Sequence, residues 1–229
     1  MIISGFQKMT LLDFPGKVAC TIFTGGCNFR CPFCHNALLV TEDFKAEFSE
    51  EEILSFLEKR RGLLDGVCIT GGEPLLHKDI TDFIRKIKEM GYAVKLDTNG
   101  SFPDRLKALV NDGLIDYVAM DIKNCMEKYA LTAGSNENIL PQIEESIDFL
   151  LSGKADYEFR TTVVKEFHDI NDISAAAERI KGAKRYFLQY FEDSGGLISG
   201  GLSAVDKETM ELMKKAAVKF VPETAVRGG

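Results

Sequence analysis

Six short runs rich in β-branched and apolar residues, each followed by a stretch of helical periodicity, constrain this chain more than any other feature. The runs cover residues 18–24, 66–70, 93–97, 115–121, 157–164 and 185–190. Helical patterns follow over residues 49–61, 79–90, 103–111, 138–152, 172–181 and 206–219. Ser49 with Glu52 three positions on has the capping-box spacing. Gly91 and Gly153 stand where helices commonly end. Strands alternating with helices of this length build a parallel sheet with right-handed crossovers. Six units suit a partial (β/α)6 barrel of the TIM-like α/β type better than a closed eightfold one. No composition break divides the chain. We therefore expect one domain over residues 1–229, with a core at about 16–191 and a C-terminal helix and tail at 192–229.

Composition narrows the function. Lys and Arg number 28 and Asp and Glu 35, giving a formal charge of −7. The two signs are interleaved, which argues against a nucleic-acid surface. No run approaches the roughly 18 consecutive apolar residues of a membrane span. The opening octet lacks the charged start and apolar run of a signal peptide. A cytoplasmic protein is expected, where thiols stay reduced. Six cysteines then point to metal or catalysis before disulfides.

In parallel α/β sheets, function gathers where strands end and loops begin. Unusual residues fall there four times in succession: residues 25–35, 70–74, 97–100 and 121–123. The first carries Cys27, Cys31 and Cys34. Three thiolates on one loop can hold three corners of an iron–sulfur cubane. The fourth iron is then open to substrate, by the logic of an open catalytic metal site. A zinc site using His35 is the alternative, but adjacent Cys34 and His35 reach one tetrahedral centre only with strain. A redox pair of Cys31 and Cys34 leaves Cys27 unexplained.

The other turns are less specific alone. Gly71 and Gly72 allow close backbone approach to a ligand, and Glu73 offers an acceptor for an ammonium group; an ordinary strand-to-helix turn also fits. Asp97, Asp121 and Lys123 form either a site or a salt-bridged rim. Arg160 lies inside an apolar strand, where a charge is costly unless paired. It points inward to Glu73, an aspartate or a cofactor, or outward to a surface partner. Cys20 and Cys68 sit mid-strand as small hydrophobes. Cys125 is expected in an exposed loop, and His77 and His168 at the surface or in loops.

Together these motifs resemble the radical S-adenosylmethionine (SAM) enzymes, whose signature is CxxxCxxC with an aromatic, here Phe33, before the third cysteine. The wider set is Asp13-Phe-Pro-Gly16, Gly25 through Asn36, Thr70-Gly-Gly-Glu-Pro74, Asp97-Thr-Asn-Gly100 and Met120-Asp-Ile-Lys123. It is similar to the glycyl-radical-enzyme activating enzymes, and most to those serving anaerobic ribonucleoside-triphosphate reductase, then pyruvate formate-lyase. The likeness spans about residues 3–191. It implies a [4Fe-4S] cluster on Cys27, Cys31 and Cys34. It implies SAM contacts at Phe33, His35, Gly71, Gly72, Glu73, Asn99, Lys123 and Arg160. Asp97, Thr98 and Asp121 would hold a monovalent cation beside the SAM carboxylate. Phe191 stands where the formate-lyase activase has a SAM-contacting histidine.

The resemblance implies reductive SAM cleavage and a glycyl radical on a partner enzyme, with flavodoxin or ferredoxin as electron donor and no nucleic-acid or membrane partner. Two alternatives remain at this point: a small-molecule radical SAM enzyme of the carboxy-deazaguanine synthase type, and a non-catalytic zinc or iron–sulfur module. The terminal residues 226–229 are not read as a glycyl radical site, because the two glycines end the chain without a following apolar loop.

Overall fold

Eight strands hydrogen-bond in one sheet, in the order in which they occur along the chain. The computed structural model describes residues 1–41, 45–193 and 195–228. The six expected strands are β2 (Ala19–Thr24), β3 (Gly66–Gly71), β4 (Ala93–Thr98), β5 (Tyr117–Asp121), β6 (Asp156–Val163) and β7 (Tyr186–Tyr190). All six run parallel. Two further strands flank them. β1 (Ile3–Thr10) pairs antiparallel with β2, and β8 (Thr224–Arg227) pairs parallel with β7. β1 thus lies before residue 16, and β8 follows the C-terminal helix within residues 192–229.

The helices are α1 (Glu50–Glu58), α2 (Ile80–Glu89), α3 (Pro103–Asn111), α4 (Met126–Ala133), α5 (Leu140–Leu151), α6 (Ile170–Arg179) and α7 (Lys207–Val218). The Ser49–Glu52 capping box forms as its spacing predicts. α6 starts earlier than expected, because Asp169 caps it in a second capping box with Asp172. α5 begins later than expected, after a 3-10 turn over Glu137–Ile139. Among the described residues no helix is long and apolar enough to cross a membrane.

The two faces of the sheet differ in chemistry. Cys20, Ile22, Val67, Ile69, Val94, Leu96, Val118, Met120 and Phe159 are fully buried in one apolar cluster with Ile53, Phe83, Ile87 and Ile147 of the helices. Each such side chain contributes roughly 1.5–3 kcal/mol when fully buried. The alternate positions face the opposite way, as the period of two requires. There the registered neighbours are polar: Thr21 beside Cys68, Cys68 beside Lys95, Asp121 beside Arg160, Thr162 beside Gln189. The inner face of the sheet is therefore a lined chamber rather than a second oily core.

Candidate active site

The loop after β2 is anchored by backbone contacts before any side chain is considered. Gly26 N donates to Leu39 O at 2.7 Å, and Arg30 N donates to Ala133 O, at the end of α4, at 3.0 Å. Arg30 Nη1 turns back onto Cys27 O and Phe29 O at 2.7 and 2.9 Å. Gly134, left-handed at φ +59°, lets α4 end against this loop; a Cβ there would stand 2.1 Å from Arg30 O. Cys27, Cys31 and Cys34 consequently line one cavity of about 440 Å³, within the roughly 300–1,000 Å³ of small-molecule sites.

All three thiols are unpaired. Burial pushes Cys27 up to about 12 and Cys31 to about 11, and raises Cys34 as well. Without a bound metal they stay protonated near neutrality; a metal would displace those protons.

The glycine pair at the end of β3 also serves a contact within the fold. A Cβ on Gly72 would lie 2.0 Å from Gly26 O. Gly72 N donates to Thr24 O and Glu73 N to Gly26 O, both at 2.8 Å. The close approach is thus between this turn and the cysteine loop, although Gly71 and Gly72 also line the cavity. Glu73 is fully buried and turned away from the cavity wall. Its carboxyl accepts from Leu75 N at 3.0 Å, Thr98 Oγ1 at 2.9 Å and Asn99 N at 2.7 Å. Burial raises its pKa to about 7, against those three hydrogen bonds. The expected free acceptor is instead a tie between the β3 and β4 turns.

Asn99 extends that tie to the cysteine loop. Its Nδ2 donates to Asn28 Oδ1 at 3.0 Å and lies 3.8 Å from Cys27 Sγ. The far wall is ionic. Arg160 points inward, donating from Nε to Asp121 Oδ1 and from Nη1 to Asp97 Oδ2, each at 3.0 Å. Lys123 Nζ donates to Asp121 Oδ2 at 2.9 Å, and Lys95 Nζ pairs with Asp97 Oδ1. Burial pushes the Asp121 carboxyl up, but Arg160 and then Lys123 outweigh it and hold it at about 2. Asp97 is likewise lowered, burial being outweighed by Arg160 and Lys95. Lys95 was missed in the sequence because it reads as one polar residue in an ordinary strand. Its inward parity with Asp97 and Arg160 was the available signal.

Phe33 is buried against Phe167, with ring centroids 5.8 Å apart, and His35 faces Phe191 at 5.8 Å. Both Phe33 and His35 line the cavity. The expectation for Cys125 is corrected, while His77 and His168 lie in loops as expected. Cys125 is buried, not exposed: it stands at the N-cap position of α4 without a side-chain cap, and its Sγ lies 3.5 Å from Asp172 Oδ1. His168 is buried too, its Nε2 2.8 Å from Lys123 O, because the β6–α6 connection packs under the lysine loop. His77 is half-buried and pairs with Gly25 O at 2.9 Å.

The residues present fit a cubane cluster and SAM. Three thiols on one loop line a common cavity. They do not fit a monovalent cation. Asp97 and Asp121 are each taken by two cationic side chains, and Thr98 Oγ1 donates to Glu73.

Comparison with known proteins agrees with this geometry. The model of the radical SAM superfamily matches residues 21–171. A Methanocaldococcus jannaschii protein, provisionally named a glycyl-radical enzyme activating enzyme, is 36% identical over 99% of this chain and 95% of its own length. The pyruvate formate-lyase-activating enzyme of Clostridium pasteurianum is 31% identical over 53% of this chain and 52% of its own. Among solved structures, SuiB of Streptococcus suis bound to S-adenosylmethionine superposes with a TM-score of 0.70 at 13% identity, over 88% of this chain and 48% of SuiB. A family match over most of the length, together with a near full-length relative, makes this chain an enzyme of the radical SAM superfamily.

Proposed function

We propose that this enzyme activates a glycyl radical enzyme, with anaerobic ribonucleoside-triphosphate reductase as the partner. The observation that carries the reading is the placement of Cys27, Cys31 and Cys34 on one wall of a cavity. The paired Asp97–Arg160–Asp121 group lines the same cavity. The glycyl-radical activating names of its relatives support the reaction class, and the motif set of the sequence supports the partner.

Cys27, Cys31 and Cys34 would hold the [4Fe-4S] cluster, leaving one iron for SAM. Bound there, cluster and SAM supply reductive cleavage of the sulfonium and removal of a hydrogen from a glycine Cα of the partner. The chain's own residues bind and orient. Gly71, Gly72, Thr98 and Asn99 line the cavity together with the thiols and the ionic group. Lys123 and Arg160 would present cationic N–H groups to a bound carboxylate. Phe33 and His35, on either side of Cys34 in the sequence, line it too. Fixed groups of this kind act by orientation, which dominates when a reactive carbon must meet one hydrogen.

Anaerobic reconstitution followed by reductant, SAM and purified reductase tests the reading by electron paramagnetic resonance. A SAM-dependent glycyl doublet on the reductase is expected. 5′-Deoxyadenosine formation without a doublet would move the substrate elsewhere, to pyruvate formate-lyase or to a small molecule.

A further inference from the structure

The ends of the neighbouring strands β4 and β5 carry two carboxylates side by side, Asp97 and Asp121. Two such acids usually need a counter-ion, since a buried carboxylate pair is costly uncompensated. Here the compensation is covalent to the chain. Arg160 from β6 reaches both acids, through Nη1 to Asp97 and through Nε to Asp121, and its Nη2 stands 2.9 Å from Asp121 Oδ1. Lys95 and Lys123 add one cation to each acid. Two carboxylates thus meet three cationic side chains, so a further cation would enter against net repulsion and find its oxygens taken.

We infer that the Arg160 guanidinium is a built-in replacement for a monovalent cation, bridging Asp97 to Asp121 and making this site independent of potassium and sodium. Geometry favours this role for arginine over lysine. A planar fork spans two carboxylates from one position, whereas an ammonium acts as a point charge. The fork keeps further N–H donors beyond those given to the acids, so it can meet a bound carboxylate as an ion would. Arg160 is in this sense a positioning residue: it sets the spacing of the β4 and β5 ends. The inference rests on the SAM site proposed above.

The test compares potassium chloride with tetramethylammonium chloride at equal ionic strength, using cluster-loaded protein. Two readouts are taken, the thermal midpoint and SAM affinity by calorimetry. For the wild type, both should be indifferent to the salt, with affinity changing less than twofold. Arg160→Met should weaken SAM binding by tenfold or more, and potassium should restore at least a third of the loss where tetramethylammonium does not. Arg160→Lys, which retains the charge without the fork, should fall between. A wild type whose midpoint or affinity collapses without potassium overturns the inference. So does an Arg160→Met protein that binds SAM weakly and equally in both salts. Should Arg160→Met not fold, the wild-type salt series still decides. Absence of SAM binding in every salt would strike the proposed SAM site, while the wild-type midpoints would still report on cation independence.

Discussion

Asn99, just past β4, donates through Nδ2 to Oδ1 of Asn28 at 3.0 Å, and Asn28 sits directly after the first of the three cavity cysteines. Asn28 in turn donates to Ser101 Oγ at 2.9 Å, and Ser101 Oγ donates to Asn99 Oδ1 at 2.5 Å. The three side chains form a closed ring of hydrogen bonds that locks the cysteine loop to the β4 turn. Asn28→Ala removes one hydrogen bond from each of the buried side chains Asn99 and Ser101. It should cost about 1–3 kcal/mol and lower the thermal midpoint by several degrees. It should also shorten the lifetime of the iron–sulfur cluster in air. A variant with wild-type midpoint and cluster lifetime would show that the ring does not hold the loop.

The three cysteines act as a set. Cys27→Ala, Cys31→Ala and Cys34→Ala should each bring iron and sulfide content close to background and abolish SAM cleavage, because every corner is needed. Cys68→Ala is the control: Cys68 is fully buried, 3.7 Å from Lys95 Nζ and 3.9 Å from Asp97 Oδ1. It should retain full iron content. Loss of iron in Cys68→Ala alone would mean that the ligand set is wrong.

Glu73 should leave a mark on the pH dependence of stability. Its pKa is about 7 in the folded protein against 4.5 for the ordinary group. Between those values the folded state keeps a proton that the unfolded chain has lost, so stability falls as pH rises. Over the whole window the loss is on the order of 3 kcal/mol. Glu73→Gln removes this titration. The stability difference between wild type and variant, from urea unfolding at pH 4 to 8, should therefore shift against the wild type as pH rises. A difference that stays flat would place the Glu73 pKa near its ordinary value.

Two glycines with unlike surroundings separate packing from backbone strain. Gly72→Ala puts a Cβ 2.0 Å from backbone Gly26 O, which cannot be relieved by a side-chain shift. A loss above ~3 kcal/mol is expected, as for severe overpacking. Gly91 has φ +91° but open space around it. Gly91→Ala should cost only about 1 kcal/mol. Equal losses would contradict the account of the turn–loop contact.

The six parallel strands were legible as short apolar runs alternating with helical periods; β-branched residues mark β2 to β6, whereas β7 is an aromatic and apolar run with none. β1 was not, since Gly5 interrupts it and Gln7, Lys8 and Met9 are exposed at a bulged sheet edge. β8 is four residues long and follows Pro222. α4 has eight residues and no side-chain cap, so its apolar positions read as a loop. In the site, the cysteines and the strand-end acids were legible from position alone. What each acid pairs with was not. Arg160 could have faced either side of its strand by sequence, and only the register of β5 with β6 sets it beside Asp121. Burial of Glu73 was equally hidden, because a glutamate after two glycines looks exposed until the cysteine loop folds over it.

The most direct test of the central claim is the electron paramagnetic resonance spectrum of the anaerobic ribonucleotide reductase after incubation with reconstituted, reduced enzyme and SAM. The account predicts a glycyl doublet that requires SAM and disappears with Cys31→Ala. An active, cluster-loaded enzyme that cleaves SAM yet leaves the reductase without a doublet would contradict it.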